Sequence, residues 1–453
     1  MLNRREFIAA TASLAPASAA QTPAQRLIEA ALADQSGWRR LETLCYTIGH
    51  RLSGSPAMTR SIEWAASEMR KDGLENVATP EVMVPHWVRG EESAQLLAPW
   101  ASALPALGLG GSIGTPPGGI TAETVAVESF DELDSLGEAN VRGKIVVYAV
   151  PWEGYGKTVA YRTNGASRAA RLGAIAALVR GAEPVGHRTP HTGMMRYQDG
   201  VPQIPAAGIS AEDAMMLLRL QRTGVPARVR LVMNAKTLPD AQGANVIAEW
   251  RGREKSEEIV VLGGHFDSWD VGHGAHDDGA ACLACWTAVK LMKDLGIRAR
   301  RTVRVVLFAN EENGLRGGRA YREWAGDAVK SHVAAIEMDG GCEKPSGFGL
   351  TIANAAQPVH DRALAALKTI VAPLSSINAN EIVSGGGGAD IGPIMREGVP
   401  GLALRTTGGR YFEWHHTPAD TLDKVDPRHF REAVAALAVA AHGLAESESR
   451  LSD

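Results

Sequence analysis

An excess of basic residues is missing: 47 Lys and Arg stand against 51 Asp and Glu, a formal net charge of −4. Without a basic stripe to neutralise phosphates, nucleic acid is excluded as a partner. Beyond the N-terminus no stretch stays apolar for the ~20 residues that a spanning helix needs, so no membrane span is expected. Cysteine is scarce as well. Cys45, Cys282, Cys285 and Cys342 are the only 4 thiols in 453 residues, too few for a disulfide framework. Cys282 and Cys285 form a C-x-x-C pair, but inside the apolar run 280–292, and no second pair completes a structural zinc site. Both read as small hydrophobes on a buried helix. Internal repeats and low-complexity tracts are absent too.

What is present has the balance of a soluble globular protein, 45% hydrophobic and 22% charged, in a chain too long for one ordinary domain. Residues 1–20 stand apart. Arg4-Arg5 precede Glu6-Phe7, a mild Ala-rich apolar run covers 8–14, and small residues close the segment at Ala17-Ser18-Ala19-Ala20. Charge, apolar run and small-residue site in that order predict a twin-arginine export signal. An Ala-rich cytoplasmic helix would not require that order. The mature chain is expected to start near Gln21, in the periplasm or secreted.

From 24 to 73 the pattern is helical, with a loop at 49–55, and 78–84 is strand-like. Residues 97–119 are rich in Gly, Pro and Ala and lack periodicity, which predicts a crossing between domains. The next unit alternates short strands at 124–127, 144–148 and 174–179 with a helix at 163–172. A return crossing is expected at 239–243. This divides the chain into a first part of one domain (21–96), an inserted unit (97–238) and a second part (239–453). In the last, the runs 259–262, 303–308, 333–336 and 401–404 are apolar at successive positions. Such strands are covered on both faces, which predicts an α/β fold with a mostly parallel sheet flanked by helices.

In such sheets ligands bind beyond the carboxyl ends of the strands. After 259–262 come His265 and Asp267; after 303–308, Glu311 and Glu312; after 333–336, Glu337 and Asp339. The last strand leads toward His415, His416 and Asp420, and the Gly-rich loop 272–279 adds Asp277-Asp278. Buried strands often stop at a polar residue, which explains one such end but not all of them. Neighbouring carboxylates repel unless positive charge separates them. Imidazole and carboxylate are the groups zinc takes from a protein, and a carboxylate can bridge two metals.

The order His-x-Asp, Asp-Asp-Gly, Glu-Glu, Asp, His-Thr-x-x-Asp-Thr resembles the co-catalytic zinc aminopeptidase and glutamate carboxypeptidase family. Further matching stretches at 85–92, 112–117, 143–148, 190–193, 197–202 and 264–279 carry the resemblance over nearly the whole mature chain. It implies the zinc exopeptidase fold, two Zn2+ per chain, a protease-associated-like lid formed by the inserted unit, and a homodimer. It also implies roles: His265 and Asp339 on one ion, Glu312 and His416 on the other, and Asp277 bridging. Asp267 would orient His265 from behind, and Glu311 would be the general base. The family pattern is departed from at Gly385-Gly386-Gly387-Gly388, at Asn310 and at His273.

His415 competes with His416, and the spacing to Asp420-Thr421 favours His416. His273 and His276 read as solvated or supporting loop residues. Ser384, Asp390, Arg405, Tyr411 and His191 are candidates for holding substrate, His191 either reaching over the cleft or lying on a surface loop. The expected activity is hydrolysis of dipeptides or short peptides at an unblocked terminus. A broad aminopeptidase on the same metals differs only in holding the free amine instead of the free carboxylate. A binding protein that lost catalysis fits poorly, because every ligand position and Glu311 are filled.

Overall fold

The computed structural model describes residues 21–184 and 186–453; the export signal expected at 1–20 lies outside the described residues. Among the described residues no helix is long and apolar enough to cross a membrane.

The larger sheet has eight strands in the order Glu75–Ala78, Val246–Trp250, Arg301–Phe308, Lys255–His265, His332–Glu337, Gly401–Thr406, Pro345–Thr351, Glu381–Ser384. The middle four run parallel, and antiparallel neighbours flank them on both sides. Arg301–Phe308 and His332–Glu337 are buried at every position, which is why their sequences show no alternation of apolar and polar residues. On one face helix Pro427–Glu446 packs against helices Ala280–Asp294 and Pro23–Ala33. Asp426 caps the first of these through the N–H groups of Arg428 and His429. On the other face Tyr321, from helix Arg316–Ala325, joins Ile247, Val261, Val306 and Phe308. The architecture is mixed α/β, as expected. All four cysteines are buried and free, with Cys282 and Cys285 inside helix Ala280–Asp294.

Between Glu75–Ala78 and Val246–Trp250 the chain builds a second eight-stranded sheet. Its strands Ile120–Val127, Ile145–Tyr148, Ala176–Arg180 and Ala206–Ile209 are parallel. Residues 97–119 are not the aperiodic crossing expected: they carry the strands Ser102–Leu104 and Ala106–Gly108, too short to show alternation among their Gly and Pro neighbours. The crossing is an antiparallel ribbon of Glu81–Val88 on Lys236–Ala244, with a register shift between Leu238 and Ala241 that accommodates Pro239. Residues 239–243, expected as the return crossing, lie in the second strand of this ribbon.

Candidate metal centre

Parallel register brings the chemistry to one edge. His265 ends its strand opposite Phe308, and Gly263 pairs with Glu337. Residues 309–312 and 338–339 therefore leave the sheet beside His265. Asp277 arrives from the loop that precedes helix Ala280–Asp294.

The oxygens of Asp277 face different imidazoles: Oδ1 lies 3.0 Å from His265 Nε2 and Oδ2 lies 3.2 Å from His416 Nε2. His265 Nε2 is also 3.4 Å from Asp339 Oδ1, and His416 Nε2 is 3.0 Å from Glu312 Oε2. His415 stacks on His416, with ring centroids 3.6 Å apart, and reaches Asp277 only at 3.5 Å. The expected role of Asp267 is divided. Its main-chain carbonyl, not its carboxylate, accepts the N–H of His265 Nδ1 at 3.0 Å, which leaves Nε2 with its lone pair. The carboxylate instead accepts the N–H of Glu311 at 3.0 Å, that of Glu312 at 3.4 Å and the Ser53 hydroxyl at 3.2 Å.

Among the described residues several buried acceptors here have no hydrogen-bond partner: Glu312 Oε1 and both oxygens of Asp278, and Asp277 Oδ2 makes only ion-pair contacts with the imidazoles. Burial of unpaired carboxylates is costly unless cations compensate. The titration behaviour expresses the same deficit. Burial, reinforced by Asp339 and Glu312, pushes the Glu311 carboxyl well above its usual range. Burial beside Asp277 takes Glu312 up to about 7. Burial opposes charge on His265 and His416, yet the surrounding carboxylates raise both. Protons thus fill a role that metal cations fit, and metal binding would release them. Convergent imidazole nitrogens and carboxylate oxygens are a donor set suited to zinc.

Further residues hold this set in place, His276 as expected and Arg51 and Arg89 in addition. The buried Arg51 guanidinium donates to the carbonyls of Phe266 at 2.8 Å, His273 at 2.8 Å and Gly274 at 3.0 Å. It thereby ties the 49–55 loop to the metal loop. His276 is buried, accepting from Cys342 N at 3.0 Å and donating to the Lys424 carbonyl at 2.8 Å, a supporting role. Arg89, on the link after the ribbon, grips Asp270 at 2.8 and 2.5 Å.

The second unit also reaches His416. Thr192 N donates to the His416 carbonyl at 2.9 Å, and His416 Nδ1 lies 3.4 Å from the Thr192 carbonyl. Arg162 Nη1 donates to the same carbonyl at 3.2 Å, and its Nη2 to Tyr155 Oη at 3.1 Å. His191 is not on a surface loop. It is buried, with Nε2 3.2 Å from His415 Nδ1.

A cleft of about 570 Å³ opens over the centre, walled by both units. Tyr411 lines it, its ring 4.9 Å from that of His415. Four expected substrate contacts do not, the buried His191 among them. Ser384 and Arg405 are exposed outside the cleft, Arg405 on the solvent side of a strand whose Leu404 points inward. Asp390 is buried beneath the sheet edge, its carboxyl pushed up by burial and by Glu337.

Comparison with known proteins follows the same lines. The profile of peptidase family M28 matches residues 245–441. Carboxypeptidase Q of Mus musculus is 43% identical over 91% of this chain and 86% of its own length. The Homo sapiens protein of that name is 41% identical, covering 92% and 87%. A solved peptidase M28 precursor from Shewanella amazonensis aligns with a TM-score of 0.88 at 34% identity, over 94% of this chain and 97% of that one. A zinc aminopeptidase from Bacillus subtilis shares the fold, with a TM-score of 0.67 at 20% identity over 92% and 96%.

Proposed function

The chain belongs to peptidase family M28 and is a zinc-dependent peptidase, and we propose that it hydrolyses dipeptides and short peptides with free termini at a centre for two zinc ions. The observation that carries this reading is Asp277, with one oxygen 3.0 Å from His265 and the other 3.2 Å from His416. His265 and Asp339 would hold one ion and Glu312 and His416 the other, with Asp277 between them. Zinc held there supplies positive charge that polarises a scissile carbonyl and brings the pKa of a water toward neutrality.

Glu311 faces the cleft with its backbone fixed by Asp267. As general base its carboxylate takes a proton from the attacking water and delivers it to the nitrogen of the leaving amine. Asp267 holds Glu311 and Glu312 through their N–H groups, so base and metal ligand move as one piece. Exopeptidase action is supported by the carboxypeptidase Q relatives and by the second unit, which we read as a protease-associated-type lid. Tyr155, Arg162 and Met194 from that unit wall the cleft and leave little passage for a long chain. The residues at 1–20 support export to the periplasm.

Turnover of dipeptides and of a long unstructured peptide, before and after chelation, tests the reading. Dipeptide cleavage that is lost with chelator and restored by zinc supports it. Preferred cleavage within the long peptide contradicts it.

A further inference from the structure

The two imidazoles of the proposed centre are supported from different units. An imidazole that binds metal through Nε2 carries its proton on Nδ1 and needs an acceptor there. For His265 that acceptor is the Asp267 carbonyl at 3.0 Å, two residues along the same segment. For His416 it is the Thr192 carbonyl at 3.4 Å, 224 residues away and on the second unit.

The contact is more than one hydrogen bond. His416 holds its backbone at φ +59°, in the left-handed region that residues other than glycine seldom adopt. The Thr192 N–H donates to the carbonyl of that same residue at 2.9 Å. Thr192 thus holds both the main chain and the ring of His416. The buried Arg162 holds Thr192 in turn: its Nη1 donates to the Thr192 carbonyl at 3.2 Å and lies 3.3 Å from His416 Nδ1. The Thr192 hydroxyl donates to the Gly108 carbonyl at 2.8 Å and accepts from Arg89 at 3.3 Å. Two glycines let the loop pass this closely. A Cβ on Gly193, at φ +136°, would lie 2.2 Å from the Arg162 guanidinium, and one on Gly208 would lie 2.0 Å from the His191 carbonyl.

Resting on the two-zinc reading above, we infer that the second unit is part of the metal centre: through Thr192 and Arg162 it sets the affinity of the cation position formed by Glu312 and His416. Both are positioning residues. They fix the tautomer and ring plane of a ligand and touch no metal themselves. With the loop displaced, His416 Nδ1 loses its acceptor and the ring is free to turn away from Glu312. His265 keeps its acceptor in its own unit, so the position it forms with Asp339 does not depend on the second unit. Asp277 remains common to both.

The test measures zinc binding to the metal-free mature protein against a calibrated chelator, in the wild type, Arg162→Met, Arg162→Lys and Gly208→Ala. Methionine keeps the length of the side chain without its donors, and lysine restores one. The wild type should bind two ions. In Arg162→Met and in Gly208→Ala one ion should bind about ten- to a hundred-fold more weakly while the other is unchanged, and Arg162→Lys should recover part of the loss. Unchanged binding of both ions, or equal weakening of both, would overturn the inference. A second measurement uses the unaltered chain and does not depend on how the variants fold. With cobalt in place of zinc, two imidazole Nδ1–H protons should give paramagnetically shifted, slowly exchanging NMR signals, one held by Asp267 and one by Thr192. A single such signal would overturn the inference as well. A wild type that binds fewer than two ions would instead overturn the two-zinc reading, and the inference with it.

Discussion

Asp420 Oδ2 accepts the main-chain N–H of Asp277 at 3.1 Å, and its Oδ1 takes those of Ala275 at 3.1 Å and His276 at 2.8 Å. One buried carboxylate thereby fixes the loop that carries Asp277, the proposed bridging ligand. Replacing Asp420 with Ala leaves those N–H groups without their acceptor and frees Asp277 to drift from its two imidazoles. Metal affinity should fall about ten- to a hundred-fold, as for other residues that orient ligands from behind. Competition with a calibrated chelator measures it, and wild-type affinity would refute the positioning role.

Replacing Asp277 with Ala removes the group that faces both His265 and His416. Both ions should be lost together. Retention of one ion at wild-type affinity, read by elemental analysis after dialysis, would show that the two positions are held independently.

Glu311 lines the cleft, and among the described residues its carboxylate makes no hydrogen bond that would shape the fold. Glu311→Gln should therefore keep metal content and thermal stability while turnover drops about 10²- to 10⁴-fold, the usual contribution of a positioned base. Near-native turnover would remove Glu311 from the mechanism.

The clustering of the proposed ligands is legible in sequence because buried strand runs mark where parallel strands end, and His265, Glu312 and Asp339 follow those ends directly. Ser384 and Arg405 misled for a related reason: both lie at strand ends, but of strands away from the cleft, and period alone does not say which face a terminal residue takes. His191 and Arg162 belong to the second unit, whose approach to His416 is a tertiary relationship with no local signature. Asp420 and Arg51 act through backbone groups, so their partners carry no side-chain pattern to read. The strands at 102–104 and 106–108 are recognisable only once their neighbours in the sheet are known.

At the far end of the His332–Glu337 strand, His332 Nδ1 donates to the Ala328 carbonyl at 3.0 Å and Nε2 meets Tyr321 Oη at 2.7 Å. Burial pushes its pKa from the ordinary 6.5 down to about 4, the Ala328 hydrogen bond opposing. The unfolded chain thus binds a proton between those values that the folded chain does not, so this contribution to stability is complete above about 6.5 and is lost as pH falls toward 4. Urea midpoints at several pH values should decline over that window in the wild type. The decline should be shallower in His332→Gln, whatever that variant's stability at neutral pH, and an identical slope would contradict the assignment.

The central claim is that Asp277 joins two cation positions into one working centre. The most direct measurement is the zinc content of the purified mature chain, titrated from the metal-free state while dipeptide turnover is followed. About two ions per chain, with turnover complete only when the second position fills, is the predicted result. Full turnover with a single ion bound, or with none, would contradict it.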